Sequence, residues 1–157
     1  MKNLALSMGI LVAATLAGGA CEPGRSGSAG RMGAPANAIR GTVSYAGAWA
    51  GPLDVSVFSS FPPTGRPIAR QRIARPAFPQ PFQVSGVPPG RYYVLAIIDR
   101  DVNDGDRYHP SLDPGGAYGG YDAPQAVTVE LGGGADEVHL DLLDPSADSP
   151  WLRRGYR

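Results

Sequence analysis

The stretch Arg91-Tyr92-Tyr93-Val94-Leu95-Ala96-Ile97-Ile98 decides the fold of this chain. After the arginine, every residue is uncharged, and most are aromatic or β-branched, which favours a strand. Because apolar side chains fall on both alternating faces, this strand is expected to be central in a sheet and buried on both sides. The side chains expected to face the main core are Tyr92, Val94, Ala96 and Ile98.

Shorter segments on both sides of this strand alternate apolar and polar residues with the period of a strand. They cover residues 39–45, 53–57, 82–84, 127–131 and 138–142, and a further short strand is expected near residues 68–73. Glycine- and proline-rich turns separate them, and no segment has a helical period. Short strands at such spacing predict an all-β chain that forms a single antiparallel β-sandwich of about seven strands over residues 38–144.

One phrase within this region resembles a known family. Gly41-Thr42-Val43 opens a strand, and residues 82–94 read Phe-Gln-Val-Ser-Gly-Val-Pro-Pro-Gly-Arg-Tyr-Tyr-Val. This phrase resembles the strand–turn–strand phrase of transthyretin-like, or carboxypeptidase-regulatory-like, β-sandwich domains. The resemblance implies a prealbumin-like or immunoglobulin-like sandwich that serves as an accessory or structural domain. It also implies an Asp/Asn-rich loop after the central strand, as in the calcium-binding repeats of bacterial surface adhesins.

The first 37 residues predict export. A positive start precedes an apolar core over residues 4–16, which is too short for a transmembrane helix and typical of a signal peptide over residues 1–20. Gly18-Gly19-Ala20-Cys21 resembles a bacterial lipobox, so Cys21 is the predicted lipidation site; the alternative is ordinary signal-peptidase cleavage that leaves a free thiol. Glu22 resembles an outer-membrane sorting signal. Residues 21–37 are predicted to be a flexible tether.

Composition narrows the function classes. The chain has 157 residues, 14 basic and 14 acidic, so no nucleic-acid partner is expected. Cys21 is the only cysteine, which excludes an intramolecular disulfide and a multi-cysteine zinc site. The sequence contains none of the common hydrolase, zinc-protease or phosphate-loop motifs. These observations predict a non-catalytic, lipid-anchored protein of the cell envelope, attached to the membrane and interacting with an envelope protein or a glycan.

An acidic loop after the central strand is the main candidate site. Asp99, Asp101, Asn103 and Asp106 stand near alternate positions, and Asp113 follows before Pro-Gly. Oxygen ligands of this kind suit calcium, which takes six to eight of them. The alternative is a solvated turn that needs no metal, since these residues favour turns by themselves.

Charge is unevenly distributed along the predicted sandwich. Residues 55–98 contain five arginines and no acid, whereas residues 99–148 contain twelve acids and two arginines. Three interpretations are open: the arginines pair with the acidic half, they face anionic lipid, or they form a solvated loop.

Three loop tyrosines suggest an alternative function. Tyr108, Tyr118 and Tyr121 flank a glycine-rich segment, and exposed tyrosines suit contacts with sugars. The alternative hypothesis is therefore a carbohydrate-binding module. Residues 145–157 form a C-terminal tail that either docks on a partner or folds back on the domain.

Overall fold

The computed structural model describes residues 37–100, 109 and 111–146, and within them every regular element is a strand. The predicted all-β sandwich is confirmed. The eight strands are β1 (Ala38–Ser44), β2 (Leu53–Phe58), β3 (Ala69–Ile73), β4 (Gln80–Ser85), β5 (Gly90–Ile98), β6 (Gly115–Ala117), β7 (Ala126–Val129) and β8 (Ala135–Asp141).

The strands form two sheets. The three-stranded sheet has the order β4-β1-β8, and the five-stranded sheet has the order β3-β2-β5-β6. Strand β7 also belongs to the five-stranded sheet, where it pairs with residues 90–93 of β5 while β6 pairs with residues 95–97. The predicted central strand is thus central, with β2 on one side and β6 and β7 on the other.

Strand β6 is the element that the sequence analysis did not predict. Its residues are Gly115, Gly116 and Ala117, which lack any strand preference of their own. Glycine is required at position 116, because a Cβ atom there would overlap the backbone carbonyl oxygen of Asp141. The close approach of two backbones, rather than side-chain propensity, therefore creates this strand.

The pairing of β1 with β8 departs from the expected antiparallel arrangement. These strands run parallel, whereas the other strand pairs are antiparallel. The register moves from Ile39 opposite Ala135 to Gly41 opposite Val138, so β8 contains an extra residue. Glu137 takes up this bulge with a φ of 63°.

The main core lies between the two sheets. Val94, Ala96 and Ile98 are at most 1% exposed, and Tyr92 is 8% exposed, as the alternation of β5 predicts. A second cluster lies on the opposite, outward face of β5, where Leu95 and Ala117 pack with Phe58, Phe61, Tyr93 and Tyr121. Both faces of β5 are therefore apolar, as expected for the central strand.

Candidate functional site

The candidate site lies at the end of the sandwich where β1, β5 and β8 finish and β2 and β6 begin. Asp99 directly follows β5, and Asp113 lies two residues before the start of β6. These carboxylates are 1% and 0% exposed, respectively. Asp101, Asn103 and Asp106, the other predicted calcium ligands, lie outside the described residues.

Asp113 holds the base of the acidic loop. Its Oδ1 accepts a hydrogen bond of 3.1 Å from the backbone N–H of Arg100, and its Oδ2 accepts one of 2.9 Å from the N–H of His109. One buried carboxylate therefore binds the two ends of the segment that contains the predicted ligands. A negatively charged acceptor makes these hydrogen bonds stronger than neutral ones. Backbone hydrogen bonds also bring His109 close to Asp113. The N–H groups of Leu112 and Asp113 both donate to the carbonyl oxygen of His109.

Arg72 joins two other buried carboxylates at this end. Its Nη2 donates to Oδ2 of Asp99 over 2.9 Å, and its Nη1 donates to Oδ2 of Asp54. Asp54 is directly opposite Arg72 in the register of β2 and β3, so strand pairing places the ion pair. Asp54 is only 3% exposed, whereas the side chain of Arg72 is 32% exposed. This pairing agrees with the interpretation in which the arginines bind the acidic half of the chain.

Neither Asp54 nor Arg72 was singled out from the sequence. Asp54 stands at a polar position in an alternating strand, and such positions usually face solvent. Arg72 is one of several arginines in a proline-rich stretch. Asp54 is the only acid of β2, and β3 contains two arginines. The sequence does not show that they pair, because this depends on the β2–β3 register.

Arg100 fixes the neighbouring loop by two contacts. Its guanidinium carbon lies 3.5 Å from the ring centroid of Trp49, a cation–π distance, and its Nη1 donates to the carbonyl oxygen of Leu112 over 2.7 Å. The loop between β1 and β2, which contains Trp49, is thereby connected to the loop after β5. Trp49 remains 45% exposed, so one face of its ring is available at the rim of the site.

Tyr45, which directly follows β1, makes a further set of contacts at the same end of the sandwich. Its hydroxyl donates a hydrogen bond of 2.5 Å to Asp144, and its ring packs edge-to-face on Phe78 at 5.6 Å between centroids. Burial, reinforced by the hydrogen bond to Asp144, raises the pKa of the Tyr45 hydroxyl to about 12. A groove of about 270 Å³ lies beside it, lined in part by Tyr45, Phe78 and Leu142.

Two of the five predicted calcium ligands, Asp99 and Asp113, lie within the described residues. Among them, no group of three or more acidic, histidine or cysteine side chains converges as a metal site would require. Asp99 nevertheless keeps its Oδ1 buried without a hydrogen-bond partner in the described part of the chain. Oδ2 of Asp99 faces Arg72, whose positive charge opposes a cation nearby. Asp99 therefore offers Oδ1, whereas both carboxylate oxygens of Asp113 already accept a backbone hydrogen bond.

Of the three predicted loop tyrosines, Tyr118 and Tyr121 lie within the described residues, and they do not form one surface. Tyr118 packs against the main core, while Tyr121 packs against the outward cluster around Leu95. Tyr108 lies outside the described residues. The carbohydrate hypothesis remains a prediction.

The two histidines occupy different settings. His139 is exposed on β8, as its alternation predicts, and the backbone N–H of His109 is bound to Asp113.

Comparisons with known proteins give no match: no family model, curated protein or solved structure is significantly similar to this chain. The resemblance to transthyretin-like domains therefore stays a prediction. Within the described range, no helix has the length and apolar character needed to cross a membrane. Cys21 lies outside the described residues, and so does most of the predicted tether.

Proposed function

We propose that the chain is a non-catalytic lipoprotein of the cell envelope, anchored through Cys21, whose β-sandwich serves as a rigid interaction or structural domain. The observation that carries this proposal is the use of Asp113, a fully buried carboxylate, to bind the backbone N–H groups of Arg100 and His109. A buried charge is costly, and here it binds the two described backbone N–H groups on either side of the acidic loop. Binding loops held by a rigid scaffold are typical of interaction domains.

The contacts of Arg72 and Arg100 support the same function. Arg72 binds Asp99 and Asp54, and Arg100 stacks on Trp49. The charged side chains named at this end thus connect loops and strands to one another. Trp49, Arg100 and Leu112 are therefore held together at the rim of this end, which suits recognition because these residues lose little conformational entropy on binding.

Calcium bound by the acidic loop is part of this proposal. Asp99, Asp101, Asn103, Asp106 and Asp113 would supply oxygen ligands. Oδ1 of Asp99 is the buried oxygen among them that has no hydrogen-bond partner in the described part of the chain. The ion would neutralise the repulsion between closely spaced carboxylates and stiffen the loop whose two ends Asp113 binds. Calcium suits such a site better than magnesium, because it accepts more ligands and irregular geometry.

The anchor is tested on the protein made in a bacterial host that processes lipoproteins. Mass spectrometry of the mature N-terminal peptide should find cleavage after Ala20 and a diacylglyceryl group on Cys21. The Cys21→Ser variant should leave the membrane fraction, while Ser26→Ala, a change in the predicted tether, should stay there. An unmodified Cys21 thiol, or Cys21→Ser protein that remains on membranes, would contradict the lipoprotein proposal.

The outer membrane is the proposed location because Glu22 follows the cysteine. Density separation of inner and outer membranes, followed by detection of the chain, measures this directly. Recovery in the inner-membrane fraction would contradict the location without affecting the anchor.

A further inference from the structure

The groove beside Tyr45 lies at the same end of the sandwich as the candidate site, and we name it the Tyr45 groove. It is open to solvent and has a volume of about 270 Å³. Pockets that enclose drug-sized ligands are larger, at roughly 300–1,000 Å³. The Tyr45 groove therefore suits one long side chain better than a whole small molecule.

The order of the strands creates this groove, because β1 lies between β4 and β8. Beyond Ser44, the last residue of β1, the chain continues through Tyr45 as the floor of the groove. Residues 78–79, which precede β4, form one wall, and residues 141–142 form the other. The N–H of Leu142 donates a hydrogen bond of 2.9 Å to the carbonyl oxygen of Ser44, so the floor and this wall are joined by their backbones.

Two aromatic rings line the groove. Tyr45 and Phe78 pack edge to face, with 5.6 Å between their ring centroids. The hydroxyl of Tyr45 donates a hydrogen bond to Asp144, which holds the ring in one orientation. The faces of aromatic rings carry partial negative charge and attract ammonium and guanidinium groups. The rings therefore favour a side chain with an apolar stem and a positive end.

A carboxylate stands at the groove. Leu140 and Leu142 are buried, so the alternation of β8 turns Asp141, which lies between them, toward solvent. The side chain of Asp141 is exposed and makes no hydrogen bond or ion pair within the described part of the chain. Among the described residues that line the groove, it is the only charged one. The groove therefore presents an unpaired negative charge beside its aromatic rings.

The surroundings of the groove are acidic as well. Residues 109–146 contain no arginine or lysine, and they contain seven acids: Asp113, Asp122, Glu130, Asp136, Glu137, Asp141 and Asp144. Strands β6, β7 and β8, which belong to this range, lie together at one edge of the sandwich. Arg100, whose charge acts on the Tyr45 hydroxyl, is engaged by Trp49 and by the carbonyl oxygen of Leu112. This edge therefore attracts a cationic partner and repels an anionic one.

We propose that the Tyr45 groove binds an arginine or lysine side chain from a basic segment of a partner protein, with its cation beside Asp141 and its stem on Tyr45 and Phe78. Charge complementarity selects this occupant. Long basic side chains pack their methylene stems on apolar surface while the charged head stays at solvent, as an open groove allows. The inference rests on the proposed function, because it names the chemistry that the interaction domain recognises. It depends on neither the lipid anchor nor calcium.

Fluorescence anisotropy with the full chain in a nonionic detergent tests this proposal. The probe is a dye-labelled peptide of glycine and serine with three evenly spaced arginines, and the control peptide has citrulline, which is uncharged but similar in shape, at the same positions. The arginine peptide should bind, and added salt should weaken its binding. The citrulline peptide should bind about fivefold more weakly or less. Equal binding of the two peptides, or no binding of the arginine peptide, would overturn the proposal.

Two charge variants locate the contact. Asp141→Asn removes the carboxylate at the groove and should weaken binding of the arginine peptide about fivefold. Asp122→Asn is the matched control, because it removes the same charge from an exposed acid in the β6–β7 loop, and it should change the affinity by less than about twofold. Both positions are exposed, and circular dichroism establishes that each variant keeps its strands. Equal weakening by the two variants would indicate attraction to the overall charge and would overturn the proposal.

NMR gives the position of the bound peptide without any variant. The arginine peptide should shift the amide signals of Tyr45 and Leu142 and leave that of Val87, at the opposite end of the sandwich, unchanged. Shifts confined to residues outside the groove would overturn the proposal.

Sedimentation of the chain alone examines the other occupant, a second copy of this chain. A dimer that the arginine peptide dissociates would overturn the assignment to a partner protein. The lipid anchor is measured separately, by mass spectrometry of the N-terminal peptide and by membrane fractionation. Failure of peptide binding and failure of the lipoprotein proposal are therefore distinguishable.

Discussion

Arg72 reaches across strand β2 to donate a hydrogen bond of 2.9 Å to Asp99, which follows strand β5. Arg72 lies in β3 and Asp99 directly follows β5, two strands that are not neighbours, and Asp54 on the intervening strand β2 completes the bridge. One guanidinium group therefore connects three adjacent strands at the end where the candidate site lies. Because Arg72 has five N–H donors in a planar fork, it can bind both carboxylates at once, which lysine could not do with the same geometry.

Removal of this guanidinium group should lower the free energy of unfolding. Arg72→Ala leaves Asp99 and Asp54 buried without their main counter-charge, and breaking a buried ion pair in this way costs about 3 kcal/mol. The expected loss of stability lies at the low end of the range for buried ion pairs, because the side chain of Arg72 is 32% exposed and is partly screened by water. Urea unfolding measures the change in the free energy of unfolding.

The matched control for this change is Arg75→Ala. Arg75 lies two residues beyond β3 and is exposed, so its removal should alter stability by no more than a few tenths of a kcal/mol. Arg72→Lys should recover only part of the loss. Equal effects of Arg72→Ala and Arg75→Ala would show that the bridge contributes nothing.

Asp113→Ala should release the base of the acidic loop. The change removes an acceptor from the N–H groups of Arg100 and His109, and a hydrogen bond to a charged group contributes about 1.5–3 kcal/mol. The expected result is faster amide hydrogen exchange at Arg100 and His109, followed residue by residue by NMR. Asp113→Asn should give a smaller effect, because its amide oxygen can still accept one of the two bonds.

An unrelated amide provides the reference for that experiment. The N–H of Val87, bound to the carbonyl oxygen of Asn37 at the opposite end of the sandwich, should exchange at its original rate. Uniform acceleration at all three amides would indicate global destabilisation rather than release of the loop.

Stability should fall at high pH through Tyr45. Burial and the hydrogen bond to Asp144 raise the pKa of its hydroxyl from 10.0 to about 12 in the folded chain. The neutral phenol is thus favoured by folding, so its contribution is complete below pH 10 and is lost as the pH rises toward 12. The difference in ultraviolet absorbance between the wild-type chain and Tyr45→Phe, followed with pH, should titrate in this range. A difference curve centred at pH 10 would contradict the shifted pKa.

The sequence was informative where side-chain pattern determines structure. The apolar run of β5 and the alternation of β1, β2, β4 and β8 predicted the strands and the burial of Val94, Ala96 and Ile98. Pattern failed at β6, where two glycines form a strand because backbones approach closely. The pattern also could not predict the parallel pairing of β1 with β8, because apolar and polar residues alternate in the same way in parallel and antiparallel strands.

The site was partly predictable for a similar reason. Asp99 and Asp113 were recognisable as acids next to turns, and the structure places both at one end of the sandwich. Their partners were not recognisable: Asp113 binds backbone N–H groups, which every sequence has, and Arg72 meets Asp99 only through the order β3-β2-β5. Contacts that depend on register and strand order require the fold first.

Calcium should stabilise the chain if the acidic loop binds it. Extracellular modules bind calcium with dissociation constants of roughly 10⁻⁴–10⁻³ M, and a concentration ten times the constant adds about 1.4 kcal/mol to the free energy of unfolding. That gain corresponds to a rise of several degrees in Tm for a domain of this size. Melting curves in millimolar calcium, in magnesium and in chelator measure it, and magnesium should replace calcium poorly.

Ionic strength and two variants make this measurement specific. All solutions need the same ionic strength, because salt alone screens repulsion between the carboxylates. Asp101→Ala removes a proposed ligand without touching the Arg72–Asp99 bond and should abolish the calcium-dependent rise in Tm. Asp122→Ala is the matched control, since Asp122 is an exposed acid in the β6–β7 loop, and it should keep the full rise. Coincident curves in calcium, magnesium and chelator would identify the loop as a solvated Asp/Asn/Gly turn, with Asp113 binding its ends and no ion bound.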